Sequence, residues 1–150
     1  MPNLFPQVET AAEAVETAHD SQVRFGKSWC FDFEKGDFVH TPTGKMATAD
    51  DIQAYTEWCY KALLTPRYRY LIYSRSYGQE FEELIRRNLT RDGNESEIKR
   101  IITEALMVDP RTAEVTNFKF TWSNNEVYVT FDAITARNEN VQLQTKVVTV

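Results

Sequence analysis

The chain has 150 residues, of which 42% are hydrophobic, 13% aromatic and 26% charged. That is enough for one ordinary core and too apolar for a disordered or fibrous chain. Seventeen Lys and Arg against 22 Asp and Glu leave a net charge of −5, which excludes a broad electrostatic grip on nucleic acid. The excess is uneven, with 8 acids and 4 bases in residues 1–50 against 14 and 13 in the remainder.

No apolar run approaches the ~18 residues that span a bilayer, and the N-terminus lacks the basic and apolar regions of a signal peptide. The expectation is a chain made in the cytosol, without a membrane partner. In that compartment Cys30 and Cys59 read as reduced, buried small hydrophobes.

Residues 1–24 run from MPNLFPQ into an Ala/Glu-rich stretch whose apolar side chains are mostly alanine. They read as an arm ordered by what it touches, or as a frayed terminus. Residues 25–150 form one domain. WCFDF alternates, Gly36 sits in a turn, and Phe38-Val39 resumes an extended run, which predicts a β-hairpin with Trp29, Phe31 and Phe33 on one face. TPTGKMAT is a connecting loop.

Thr48 with Asp51 three residues on predicts a helix cap, and Ile52, Tyr55, Cys59, Ala62 and Leu63 recur at helical spacing to about Leu64. Thr65-Pro66 stops that helix. RYRYLIYS reads as a short strand or extended run that would place Tyr68, Tyr70 and Ile72 on a core face and Arg67 and Arg69 on the other. A second helix takes Gln79 to about Leu89, burying Phe81, Leu84, Ile85 and Leu89, and Arg91-Asp92-Gly93 breaks it. Asn94 or Ser96 caps a third helix, whose stripe of Ile98, Ile101, Ile102, Ala105 and Leu106 ends at Asp109-Pro110.

Beyond Arg111 the period becomes two. Phe118, Phe120 and Trp122 share one strand face, and Val127, Val129, Phe131 and Ala133 share a face of the next. VQLQTKVVTV supplies a last strand, with turns at Ser123–Asn125 and Arg137–Asn140. The expected fold is α+β: an N-terminal hairpin, three helices and a C-terminal three-stranded antiparallel meander.

Candidate chemistry is sparse. His19 and His40 lie at no ligand spacing, so neither a metal nor a cofactor is expected, and the five glycines are scattered rather than gathered in a phosphate loop. A Cys30–His40 nucleophile lacks any local motif. Glu80, Glu82 and Glu83 on the second helix, and Asp32, Glu34 and Asp37 on the hairpin, are carboxylates that a glycosidase would need as a spaced pair. Acids in a first helical turn, with Arg86 and Arg87 in reach of Glu83, need no such role. Arg67 to Arg75 interleaves bases with aromatics, the pattern of a single-strand nucleic-acid platform, against which stand the acidic chain and a plain strand reading. The last strand has an edge able to accept another chain.

From the first helix onward the order of motifs resembles the inner-baseplate wedge and sheath-initiator family of contractile phage tails, with relatives in type VI secretion and other contractile injection systems. Leu63-Leu64-Thr65-Pro66-Arg67 matches the family's helix end and turn, Tyr77-Gly78 its aromatic-glycine pair, and Asp109-Pro110-Arg111 its Glu-Pro-Arg. Asp109 departs from the family's glutamate, and on residues alone the tripeptide is equally a plain helix stop. The opening LFP, WCFDFEKGDF and SYGQEFEELI extend the likeness across nearly the whole chain to a branch in Gram-positive prophages.

The resemblance implies a non-enzymatic virion component of the tail baseplate, assembled in the host cytoplasm, of an infectious phage or a tailocin. Its implied partners are other wedge proteins and the tail sheath protein, with neither nucleic acid nor membrane. The wedge partners would be met by Asp109, Pro110 and Arg111 with Arg67, Tyr77 and Gly78. The sheath would be met by the last strand, through Val141, Leu143, Thr145 and Val147. Some family members carry a lysozyme label, and a peptidoglycan-cleaving tail enzyme is the alternative.

Overall fold

The computed structural model describes residues 23–149. The arm expected over 1–24 therefore lies, apart from Val23 and Arg24, outside the described residues. The order of elements is β1 (Lys27–Trp29), β2 (Phe31–Asp32), β3 (Asp37–Phe38), β4 (Thr48–Asp50), α1 (Ile52–Leu64), α2 (Phe81–Arg87), α3 (Arg91–Met107), β5 (Thr112–Ser123), β6 (Glu126–Thr135) and β7 (Asn140–Val148). The α+β class, the three helices and the meander are as the sequence predicts.

The meander is the scaffold, with order β5-β6-β7 and both pairings antiparallel. Val127, Val129, Phe131 and Ala133 on β6 are fully buried, as are Leu143 and Val147 on β7. Against this face pack Tyr55, Cys59 and Leu63 of α1, Phe81 and Leu84 of α2, and Ile98, Ile102 and Leu106 of α3. Phe118, Phe120 and Trp122 of β5 line the rim of the same core, Phe118 stacking on Phe131 with centroids 5.4 Å apart. A bulge between Thr116 and Lys119 puts Asn117 in the left-handed region, and this shift returns Phe118 to the face that Val115 occupies before it. Trp122 donates its indole N–H to Glu95 at 2.7 Å, pinning β5 to α3.

The N-terminal segment differs from a simple hairpin. β2 pairs with β3 around a turn in which the Asp32 carboxylate accepts from the backbone of Glu34 and Lys35, but β1 pairs with β4 instead. Cys30 interrupts the run, donating to the Ala47 carbonyl and accepting from Val39. Trp29 is consequently exposed while Phe31 and Phe33 are partly covered. Residues 46–50 are thus paired backbone rather than loop and cap. Thr48 is taken by β4, and the residue preceding α1 is Asp51, at a φ of 53°. Its N–H bonds Gly26 and its carboxylate takes a 2.6 Å bond from Arg137, so a contact across the fold replaces the expected cap.

Two further boundaries move. Asn88 ends α2 in the left-handed conformation, leaving Ile85 exposed and Leu89 only partly covered. Arg91-Asp92-Gly93 opens α3 rather than breaking the chain, because Thr90 caps it by accepting from the Gly93 N–H at 3.3 Å.

Candidate docking surfaces

The Asp109-Pro110-Arg111 turn is an internal clamp. The Arg111 guanidinium lies on the Asp109 carboxylate, Nη2 to Oδ2 at 2.6 Å and Nε to Oδ1 at 2.9 Å. Its Nη1 donates to the Phe25 carbonyl at 2.9 Å. The cation sits 5.5 Å from the Tyr55 ring centre and 5.6 Å from that of Trp58. Its backbone carbonyl accepts from Ala136. With the side chains of Arg111 and Asp109 only 14% and 9% exposed, one guanidinium joins the N-terminal segment, α1 and the start of the meander. The Arg111 side chain is thus already engaged within the fold. Beside the clamp, Met107, Val108 and Pro110 are exposed.

Arg67 behaves in the same way. Its Nη1 meets Glu80 at 3.0 Å, and Nε and Nη2 both donate to the Gly78 carbonyl, with the side chain 11% exposed. Backbone bonds from Arg67 to Gln79 and from Gln79 to Thr65 close the base of a loop. Gly78, at a φ of +99°, stands where a Cβ would lie 2.5 Å from the Thr65 carbonyl oxygen. Tyr77 packs on Trp58 and Tyr73.

This arrangement overturns the short strand or extended run expected for residues 67–74, which are turns and bends instead. Tyr68, Tyr70, Leu71 and Ile72 face solvent, with Leu71 wholly exposed, while Arg67 is the residue turned inward. Side-chain alternation failed here because, among the described residues, no strand pairs with the segment beyond the isolated bridge of Pro66 to Gln79.

At β7 the register reveals which groups are free. Thr149 donates to the Asn125 carbonyl and Thr135 donates to the Glu139 carbonyl, each at 2.9 Å, and the pairing between them is unbroken. Hydrogen-bonded pairs alternate along an antiparallel ladder, so the odd residues turn their N–H and C=O toward β6. Val141, Leu143, Thr145 and Val147, expected to form the docking edge, are those odd residues. Their side chains also point to the core face, with Leu143 and Val147 buried. The outward N–H and C=O groups belong to Gln142, Gln144 and Lys146, and none has a partner among the described residues.

Along this edge runs a groove of about 820 Å³, lined by Gln144, Thr145, Lys146 and Tyr128 on the sheet side and by Phe33, Tyr60, Leu63 and Leu64 opposite. Sequence reasoning missed the groove because Phe33 and Leu64, 31 residues apart in the chain, meet only in the fold.

Of the carboxylates considered for catalysis, Glu80 is held by Arg67 and Glu82 by Arg69, and Glu83 lies near Arg86 and Arg87. Lys35 backbone donation lowers the Asp32 pKa, the Arg100 hydrogen bond lowers that of Glu97, and the Lys146 bond lowers that of Glu126. A general acid requires the opposite direction. Cys30 and Cys59 are free and buried, and burial pushes the Cys59 thiol up to about 12, away from nucleophile chemistry. Among the described residues no group of three His, Cys, Asp or Glu side chains gathers to hold a metal ion. No helix among them is long and apolar enough to cross a membrane.

These features define a small single-domain α+β protein stapled by two largely covered arginines, with an unpaired sheet edge at β7. The family model for the contractile injection system sheath initiator matches residues 27–138. The phage-like element PBSX protein XkdS of Bacillus subtilis (strain 168) is 31% identical over 128 residues, spanning 85% of this chain and 81% of the relative. The chain belongs to the contractile injection system sheath initiator family. A chain in the cryo-EM structure of the anti-feeding prophage baseplate, 6-fold symmetrised, shares the fold. Its TM-score is 0.50 at 14% identity, over 83% of this chain and 87% of that one.

Proposed function

We propose that the chain is a structural component of a contractile tail or tailocin baseplate, joining wedge partners and offering the β7 edge to extended arms of the first sheath ring. The unpaired outward N–H and C=O groups of Gln142, Gln144 and Lys146 carry this reading, since such an edge is completed by a strand from another chain. The family's description as a sheath initiator supports it, as does the relative from a phage-like element. Its place in the particle is the tail baseplate, reached by assembly in the host cytoplasm.

Gln144→Pro tests the edge. The lost N–H faces outward, so the β6 ladder keeps its bonds and the domain folds. Seeding of sheath polymerisation in a tail-production assay should be abolished while baseplates still form. Normal sheaths on the variant particle would refute the edge reading.

Wedge docking falls to the 107–110 turn that Arg111 holds in shape, with Arg67 holding the separate 66–79 loop. Arg111 and Arg67 are positioning residues, and the exposed Met107, Val108 and Pro110 form the contact. Val108→Lys, a cation at the C-terminal end of α3 where the helix dipole favours it, should leave the melting temperature within about 2 °C, as surface substitutions do, and prevent incorporation into baseplates. Full incorporation would place the wedge contact elsewhere.

A further inference from the structure

We propose that the groove beside β7 selects its strand by sequence, taking an extended sheath segment with a bulky apolar side chain facing Phe33, Tyr60 and Leu64 and an acidic neighbour on the opposite face. This rests on the edge reading above and adds to it what the arriving chain must contain.

The floor of the groove is main chain. The outward groups of Gln144 and Lys146, left to water in the single chain, are spaced to pair with an extended backbone laid alongside. A strand in that position alternates its side chains, one toward the core side and the next toward the solvent face of the sheet. On the core side the arriving residue meets an apolar wall. Phe33 and Tyr60 pack with ring centroids 5.3 Å apart, Leu63 lies buried beneath, and Leu64 is 60% exposed with its face uncovered.

The wall continues into a second hollow, of about 290 Å³, which shares Phe33 and Leu64 and adds Phe31, Phe38, Tyr73 and Tyr77. The one charged residue among those facing the sheet across the main groove is Glu34, which disfavours an acid on that side.

The solvent face presents Lys146 at its edge, with the partner Glu126 one strand inward on β6. Lys146, half exposed, holds Glu126 at 3.1 Å and sits beside the neutral Gln144. An arriving acid there gains a second partner for the ammonium, whereas a base is repelled. The two faces thus read the two sets of alternating residues differently, which a bare edge of backbone groups cannot do.

The test uses the full chain and the purified sheath subunit encoded with it, with binding measured by calorimetry and by amide hydrogen exchange. Leu64→Ser removes exposed wall without touching the core and should weaken binding roughly tenfold or more, the loss expected when apolar groups leave a hydrophobic pocket. Lys146→Gln should weaken binding at low salt and match the parent at high salt. With the parent chain, the sheath subunit should protect the Gln142, Gln144 and Lys146 amides.

Unchanged affinity in Leu64→Ser, with those amides still protected, would overturn the apolar selection and leave the edge reading standing. Unchanged binding of Lys146→Gln at low salt would overturn the acidic requirement. Binding of the parent with no protection of the three amides, or no binding at all, would remove the edge reading together with this inference.

Discussion

Arg111→Ala is expected to destabilise the domain by about 3–5 kcal/mol, the cost of removing one partner from a buried ion pair. The loss has three parts that share one side chain. Asp109, 9% exposed, is left as a buried carboxylate without its bidentate partner. The Phe25 carbonyl loses its donor, which unties the N-terminal segment from the start of β5. The faces of Tyr55 and Trp58 lose the cation over them.

For a chain of this size the melting temperature should fall by on the order of 10 °C. Arg111→Lys should recover little, since an ammonium cannot span the carboxylate and the carbonyl with a planar fork. Removing Asp109 together with Arg111 should cost less than the sum of the two single losses, because no unpaired charge is then buried. Thermal and urea unfolding of the four variants, the Asp109 single change included, would check this. An Arg111→Ala protein that melts like the parent would show that the clamp is not a staple.

Gly78→Ala carries the second large effect, and a local one. A φ of +99° costs an alanine about 1–3 kcal/mol of backbone strain. Its new methyl would also press into the Thr65 carbonyl oxygen and lie 3.2 Å from the Arg67 nitrogen. Those atoms form the base of the loop, and the Gly78 carbonyl is itself the acceptor for Arg67 Nε and Nη2. The base must open, releasing the largely covered guanidinium from two of its bonds.

Hydrogen exchange and proteolysis should therefore rise across residues 66–80 well before global unfolding. Gly44→Ala supplies the control, with a positive φ of 80° and nothing within 4 Å of the added methyl. It should show the strain alone and less than half the total loss. Equal losses in the two variants would mean that the close approach at Gly78 is tolerated.

Much of the fold was legible in the sequence, and for one reason. The apolar stripes of α1 and α3 and the period-two runs of β5, β6 and β7 each report burial on one face, and burial is a property a residue carries in its own composition. Val127, Val129, Phe131 and Ala133 could hardly face anywhere but inward. The order of Leu-Leu-Thr-Pro-Arg, Tyr-Gly and Asp-Pro-Arg along the chain likewise pointed to the family before any coordinate.

What the sequence did not reveal depends on partners distant in the chain. Thr48 looks like a cap until β1 claims it as a strand, and Asp51 takes its backbone geometry from Gly26 and its charge partner from Arg137. Arg67 and Arg111 have the composition of surface cations, and only the converging carboxylates and carbonyls make them interior staples. Which residues of β7 face the open edge follows from hydrogen-bond parity, a fact about the pairing with β6 that no residue type encodes. The sequence by itself determined the class, the core faces and the family, because hydrophobic burial is additive and local in pattern. The tertiary structure alone decided the clamps, the free edge and the groove, because hydrogen-bond direction and charge pairing exist only between elements already placed.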